Sequence, residues 1–226
     1  MKRSAAEIVC EYGPFPDVTN VGGLTFDGQR VWFAIGDKLV ALDPTNGKLL
    51  RSIDVPAKAG TAFDGQHLFQ LGDDRIQKID PKTGRVLGTI PAPLGASGLA
   101  WAEGTLWVAQ YEERKIHQVD PQTGAVLRSI ETSRFVTGVT WVDGELWHGT
   151  WEGDESDLRR IDPRSGEVLE SIEMPPGVGV SGLESDGGDQ FFCGGGSSGK
   201  VRIVRRPKRG PAAGGGSEIP VDSTSK

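Results

Sequence analysis

The sequence predicts an all-β fold, a five-bladed β-propeller of four-stranded antiparallel blades whose ring is closed by the N-terminal strand. Three observations carry this reading. A turn phrase recurs along the chain: Leu42-Asp43-Pro44-Thr45-Asn46-Gly47, Ile79-Asp80-Pro81-Lys82-Thr83-Gly84, Val119-Asp120-Pro121-Gln122-Thr123-Gly124 and Ile161-Asp162-Pro163-Arg164-Ser165-Gly166. Its aspartates follow one another at 37, 40 and 42 residues, and a degraded fifth copy, Arg206-Pro207-Lys208-Arg209-Gly210, begins 44 residues further on. A second tight turn precedes each phrase, as at Phe26-Asp27-Gly28, Phe63-Asp64-Gly65, Trp101-Ala102-Glu103-Gly104 and Trp141-Val142-Asp143-Gly144. Four short apolar runs then fit between the turns of each unit of about 40 residues, which is the signature of propeller blades.

Each element follows from local chemistry. In the phrase, Asp opens the turn, Pro fixes φ at its second position and Gly supplies the left-handed residue from which the next strand leaves antiparallel. The fourth repeat shows the four strands in order: Gly138–Trp141, Glu145–Thr150, Leu158–Ile161 and Glu167–Ile172. Repeats start near Gly22, Gly60, Gly98 and Gly138, and a fifth near Gly182 supplies only three strands. The missing outer strand lies at the other end of the chain, where Glu7–Tyr12 matches Leu49–Ile53 and Val126–Ile130 in pattern. Pairing it with the fifth blade removes an open edge. The propeller is therefore expected over residues 1–210, with 211–226 a tail lacking apolar periodicity.

Composition narrows the partners. A net charge of −6, with no Lys/Arg cluster before residue 200, argues against nucleic acid and anionic membranes. The one basic run, Arg202–Arg209, reads as a solvated strand edge. No apolar h-region follows Met1-Lys2-Arg3, and no stretch approaches a membrane span. Two cysteines, Cys10 and Cys193, are too few for a disulfide framework, so a cytoplasmic location is expected. The expected partner is a small-molecule ligand or substrate of a monomer, with no cofactor and no metal.

Function is expected on one face. The Asp-Gly and Asp-Pro-x-x-Gly turns are short and alike, whereas the loops on the opposite face differ from blade to blade, as binding loops on a repetitive scaffold do. These variable loops carry Phe15, Tyr111, Phe135 and Trp151 beside Asp17, Glu112, Glu152 and Asp154, with Arg134 as a cation and Gln70 and Gln110 on the adjoining strands. An aromatic-lined depression with a few polar groups suits a small molecule. The acidic loop 152–157 lacks the spacing of a calcium loop.

His148 stands in a second strand at the position of Ala34, Gln70, Val108 and Cys193, which are apolar, small or amide side chains. It reads either as a general base near the channel or as a core histidine satisfied by a backbone carbonyl. Cys193 reads as its neighbour across the channel or as a buried thiol, two strands from Cys10 and too far for a disulfide.

The stretch Thr137–Trp151, with Trp147 and Trp151 on the family's tryptophan pair, resembles the plant- and bacterial-type glutamine cyclotransferases. Asn20-Val21-Gly22-Gly23-Leu24 is similar to the opening of their first blade. The resemblance implies a five-bladed propeller that closes N-terminal glutamine to pyroglutamate. Two positions depart from the pattern: Ala59 stands where the family carries its proposed catalytic Glu, and Thr137 where it carries an Asn. A slighter likeness, through Leu106-Trp107 and the Asp-Pro-x-x-Gly turns, runs to propeller lyases of the virginiamycin-lyase kind. Three functions fit. One is a small-molecule enzyme with His148 as proton shuttle, Tyr111 and Arg134 as donors to a developing anion, and Trp151 as a stacking wall. The second is a binding module that keeps the mouth without the chemistry, and the third a protein-interaction ring acting through its rim.

Overall fold

The computed structural model describes residues 1–208. The chain opens with β1 (Lys2–Ala5) and β2 (Ile8–Tyr12). Blade 1 is β3 (Leu24–Phe26), β4 (Val31–Ala34), β5 (Gly36–Leu42) and β6 (Leu49–Ala57). Blade 2 is β7 (Thr61–Phe63), β8 (Leu68–Leu71), β9 (Arg75–Ile79) and β10 (Val86–Pro91). Blade 3 is β11 (Ala96–Ala102), β12 (Thr105–Gln110), β13 (Lys115–Val119) and β14 (Val126–Glu131). Blade 4 is β15 (Val136–Val142), β16 (Glu145–Thr150), β17 (Asp157–Ile161) and β18 (Val168–Glu173). Blade 5 is β19 (Gly182–Ser185), β20 (Gln190–Gly194) and β21 (Val201–Arg205), completed by β2. The five-bladed ring and its closure are as the sequence predicts. The degraded turn at 206–210 lies partly, and the tail at 211–226 wholly, outside the described residues.

One strand was not legible. β1 adds to the outer edge of blade 4 as a fifth strand, parallel to β18 in the register Lys2↔Glu170 to Ala5↔Glu173. Ion pairs Lys2–Glu170 at 3.0 Å and Arg3–Glu173 at 3.9 Å flank the pairing. The N-terminal segment therefore straps blades 4 and 5 together.

The core lies between blades. Each of five apolar clusters joins one blade to the next, for example Trp107, Ile116 and Ile130 of blade 3 with Val139, Leu146 and Ile161 of blade 4. Aromatic pairs bridge these seams, Phe69 on Trp101 at 5.4 Å and Trp107 on Trp141 at 5.7 Å. The recurring turns are built alike. Gly47, Gly84, Gly124 and Gly166 all hold φ near +75°, and each aspartate's Oδ1 accepts a backbone N–H two residues on. Space demands these glycines as well, because each lies on an outer-strand residue of the preceding blade: Tyr12, Ile53, Pro91 and Ile130 in turn.

At the axis the inner strands come into backbone contact at glycines. A Cβ on Gly98 would stand 3.0 Å from the Cα of Gly138, and one on Gly182 would stand 2.9 Å from the Cα of Gly23. At Gly23, Gly60 and Gly138 the next blade's backbone is closer still. Real side chains do not make such contacts, so these five glycines set how tightly the ring closes. The blade-1 member of this set is Gly23, one residue beyond the predicted start at Gly22.

Candidate functional site

The residue before each axial glycine faces the mouth of the channel. Gly22, Ala59, Ser97, Thr137 and Ser181 form the floor of a depression of about 480 Å³, walled by Asn20, Lys58, Gly95, Tyr111, Glu112 and Trp151. It opens on the variable-loop face. Its floor carries three hydroxyls. Ser97 Oγ donates to Val136 O at 2.8 Å, and Ser181 Oγ donates to Val21 O at 2.5 Å while accepting Gly196 N–H. Thr137 Oγ1 is buried and has no hydrogen-bond partner among the described residues.

The wall is rigid. The indole of Trp151 lies so close to Gly179 and Gly196 that a Cβ on either would stand 2.7 Å from the ring, and its Nε1 donates to Gly153 O at 3.1 Å. Tyr111 donates its hydroxyl to Trp151 O at 2.8 Å, and its ring stacks on Phe135 at 4.9 Å. The Arg114 guanidinium covers the other ring system, 4.5 Å from the Phe135 centroid. Burial, with the carboxylates of Glu152 and Glu112 nearby, holds the Tyr111 phenol above its ordinary pKa, so it stays a neutral donor. Leu94, 88% exposed, stands beside Gly95 at the rim.

Of the residues picked out in the sequence, Tyr111, Glu112 and Trp151 line the mouth, and Phe135 backs it. The others lie elsewhere. Phe15 is buried in the seam between blades 5 and 1, stacked on Phe33 at 5.4 Å. Asp17 lines a groove on the outer side of blade 1 with Lys38 and Arg51. Gln70 is fully buried, accepting from Thr61 Oγ1 and donating to the carbonyls of Ala59 and Leu71, so it braces the floor from behind. Gln110 donates to Leu94 O and faces His117 Nε2, fixing the rim loop. Arg134 and Glu152 pair at 3.0 Å, and Arg134 also reaches Glu155 and Asp157, toward a groove of about 690 Å³ beside blade 4. Short loops have no hydrophobic period, so the sequence did not reveal which of their side chains turn inward.

His148 is buried within blade 4, its Nδ1 3.2 Å from Gly149 O and its Nε2 without a partner among the described residues. Burial lowers its pKa to about 4, leaving the imidazole neutral. Strand alternation puts it on the side of Leu146, in the seam between blades 3 and 4. Cys193 packs in the seam between blades 4 and 5, and burial lifts its thiol to about 12. The two are thus not neighbours across the channel. Strand pairing also shifts the blade-1 equivalent of His148 from Ala34 to Phe33, since Phe33↔Leu24 matches Gln70↔Thr61 and His148↔Val139. Ser97 and Ser181 of the floor went unnoticed in the sequence, although the position before each axial glycine marks them.

Two residues beyond the axial glycines, a second ring of Thr25, Ala62, Ala100, Thr140 and Glu184 follows. Thr25 Oγ1 and Thr140 Oγ1 donate to Glu184 at 2.7 and 2.5 Å, one from each neighbouring blade. Burial raises this carboxyl to about 7 despite those bonds.

A ring of five blades, each of four antiparallel strands, defines a five-bladed β-propeller. The chain belongs to the family described as outer membrane protein assembly factor BamB, whose profile matches residues 17–146 and, in an overlapping second alignment, 72–210. No curated protein matches it in sequence. Among solved structures, the glutaminyl cyclase of Myxococcus xanthus superposes with a TM-score of 0.77 over 90% of this chain and 97% of its own, at 19% identity. A protein of unknown function from Bacteroides caccae follows at 0.57, 14% identity and 83% and 74% coverage. The hydrazine synthase of Kuenenia stuttgartiensis gives 0.51, 20% identity and 78% and 55% coverage. The glutaminyl-cyclase-like architecture expected from the sequence is therefore present, and at these identities the likeness is one of fold.

Proposed function

We propose that this protein is a binding propeller that holds a small organic ligand at the axial mouth. The observation that carries this is the composition of the depression itself: a pre-set wall of Tyr111 and Trp151 over a floor of small residues and hydroxyls. Such a site takes a flat or apolar group against the indole and a hydrogen-bonding group toward Ser97 and Ser181. Lys58, held by Asp73, and Glu112 stand at the edge to sort charge. Membership of a family described as an assembly factor supports a role carried out by binding.

A catalytic reading draws on the likeness to a glutaminyl cyclase, whose chain overlays almost entirely. Against it, the floor position that the resemblance assigns to a carboxylate is Ala59, and His148 is out of reach in the blade interior. The test is a thermal-shift screen of small acids, amides and short peptides on the wild-type protein and on Trp151→Ala. A compound that raises the wild-type melting temperature and loses that effect in the variant supports the proposal. A compound that stabilises both equally binds elsewhere and argues against it.

A further inference from the structure

The side-chain protons around the axial mouth are already spent. Ser97 Oγ gives its proton to Val136 O, and Ser181 Oγ gives its own to Val21 O while accepting Gly196 N–H. A hydroxyl carries one proton, so these two serines keep only lone pairs for a ligand. The wall repeats the pattern. The Tyr111 hydroxyl donates to Trp151 O, and the Trp151 indole N–H donates to Gly153 O. An indole nitrogen accepts nothing, so the wall offers the Tyr111 oxygen, again as an acceptor. The third floor hydroxyl, Thr137 Oγ1, is buried 2.8 Å from where a Cβ on Gly149 would stand. Asn20 keeps an amide that gives and accepts alike.

Charge is unbalanced in the same sense. Lys58 is the one cation among the described residues that line the depression, and its side chain is 62% exposed and paired with Asp73. Just outside, Arg114 and Glu152 pair with each other at 2.9 Å, and Glu113 faces Lys115 at 3.8 Å. Glu112, which lines the depression, has no ion-pair partner among the described residues. An anion entering here meets lone pairs and a carboxylate, and has to take Lys58 from Asp73. A cation that carries N–H groups finds a complementary partner at each of these points.

We propose that the mouth selects a protonated organic amine, a primary or secondary ammonium joined to a flat or apolar group. This rests on the reading of the mouth as a ligand-binding site and fixes the chemical class of the ligand. The ammonium N–H groups donate to Ser97 Oγ and Ser181 Oγ, and Glu112 supplies the opposing charge from the rim. The apolar part lies along Tyr111 and Trp151. A depression of about 480 Å³ has room for such a molecule. The net charge of −6 favours the approach of a cation as well.

Isothermal titration of four probes built on one phenyl group tests this: 2-phenylethylamine, its N,N,N-trimethyl derivative, 2-phenylethanol and 3-phenylpropionate. The amine should bind about tenfold tighter than the alcohol or the trimethyl derivative, because a charged donor makes the stronger hydrogen bond and the trimethyl head has no N–H to give. The acid should bind weakest. Glu112→Gln should weaken the amine about two- to fivefold, the effect of one exposed charge. Glu113→Gln, whose carboxylate faces Lys115, should leave it unchanged. Both positions are exposed, so neither variant should melt lower than the wild type. A trimethyl derivative that equals the amine, or an acid that binds best, overturns the choice of an amine. If Trp151→Ala weakens that binding too, the mouth still stands as a binding site. An amine whose affinity neither Trp151→Ala nor Glu112→Gln changes binds elsewhere and also overturns the proposal. Binding by none of the four overturns the reading of the mouth itself, and this inference with it.

Discussion

The Tyr12 hydroxyl donates a 2.8 Å hydrogen bond to the carbonyl of Pro44, tying the strand that completes blade 5 to the first turn of blade 1. The same tyrosine ring lies against Gly47 of that turn. One residue near the start of the chain thus closes the ring at its seam. Tyr12→Phe should lower stability by about 1 kcal/mol, the value of a single hydrogen bond to a carbonyl. Deleting residues 1–13 removes β2 and bares β21, and should cause aggregation or a large fall in melting temperature. Deleting only residues 1–6 removes the strap on blade 4 and should produce a smaller fall. Thermal melts of the three variants give this order, and a 1–13 deletion that melts like the wild type would contradict it.

The axial glycines make a sharper demand. Gly60 and Gly65 lie five positions apart, one at the axis and one in an open turn at φ +92° with nothing within 4 Å of a Cβ. Gly65→Ala should lower stability by about 1 kcal/mol through the left-handed backbone alone. Gly60→Ala drives a methyl into the backbone of Gly98 and Leu99 and should destabilise by about 3 kcal/mol or more. Chemical denaturation of both variants decides it. Equal losses would mean that the inner strands yield more easily than close packing allows.

How far these features could be read in advance depends on whether their cause is local. The turns at Asp43, Asp80, Asp120 and Asp162 were legible because aspartate, proline and glycine act within six residues. β2 was legible because Ile8–Tyr12 repeats an outer-strand pattern. β1 was not, since Lys-Arg-Ser-Ala has no apolar pattern and its place is set by Glu170 and Glu173, far along the chain. At the site, the aromatic residues could be named but not aimed. Phe15 and Trp151 both sit in variable loops, yet one meets Phe33 in the core and the other is clamped between Gly179 and Gly196 at the mouth. Those glycines belong to other loops, and no spacing announces them.

At the mouth, Ala59 leads to a prediction about chemistry. Glutaminyl peptides incubated with the protein should give no pyroglutamate above the uncatalysed rate, because no carboxylate stands at that floor position. Any ligand found by thermal shift should bind Trp151→Ala more weakly by about 1–3 kcal/mol, the range for losing a large aromatic contact. Turnover that disappears on heat denaturation would show that another group, Glu112 being the nearest by place, performs the transfer. Mass spectrometry of the peptide, which loses ammonia on cyclisation, reads the result directly.

The last prediction concerns two buried groups whose pH effects oppose each other. His148 has a folded pKa near 4 against an ordinary value of 6.5, so the unfolded chain binds its proton first as pH falls. Its contribution to stability is therefore full above 6.5 and is lost between 6.5 and 4. Glu184 runs the other way. Its folded pKa of about 7 exceeds the ordinary 4.5, so the native state holds the proton longer and stability falls as pH rises from 4.5 to 7. Each shift corresponds to up to about 3 kcal/mol, less for Glu184 because it keeps some solvent contact. Over the shared window, from 4.5 to 6.5, the two largely cancel in the wild type. Replacing one exposes the other. Glu184→Gln, which preserves hydrogen bonds to Thr25 and Thr140, should leave a protein whose stability climbs with pH across that window. His148→Gln, able to keep a bond to Gly149 O, should leave one whose stability declines with pH there. Titrations of other carboxylates, such as Asp157 held low by Thr150 and Arg159 against the effect of its burial, are common to both variants and drop out of the difference. Urea melts at half-unit steps would give the two slopes, and a Glu184→Gln slope no more positive than that of His148→Gln would show that one of these groups does not titrate as its burial requires.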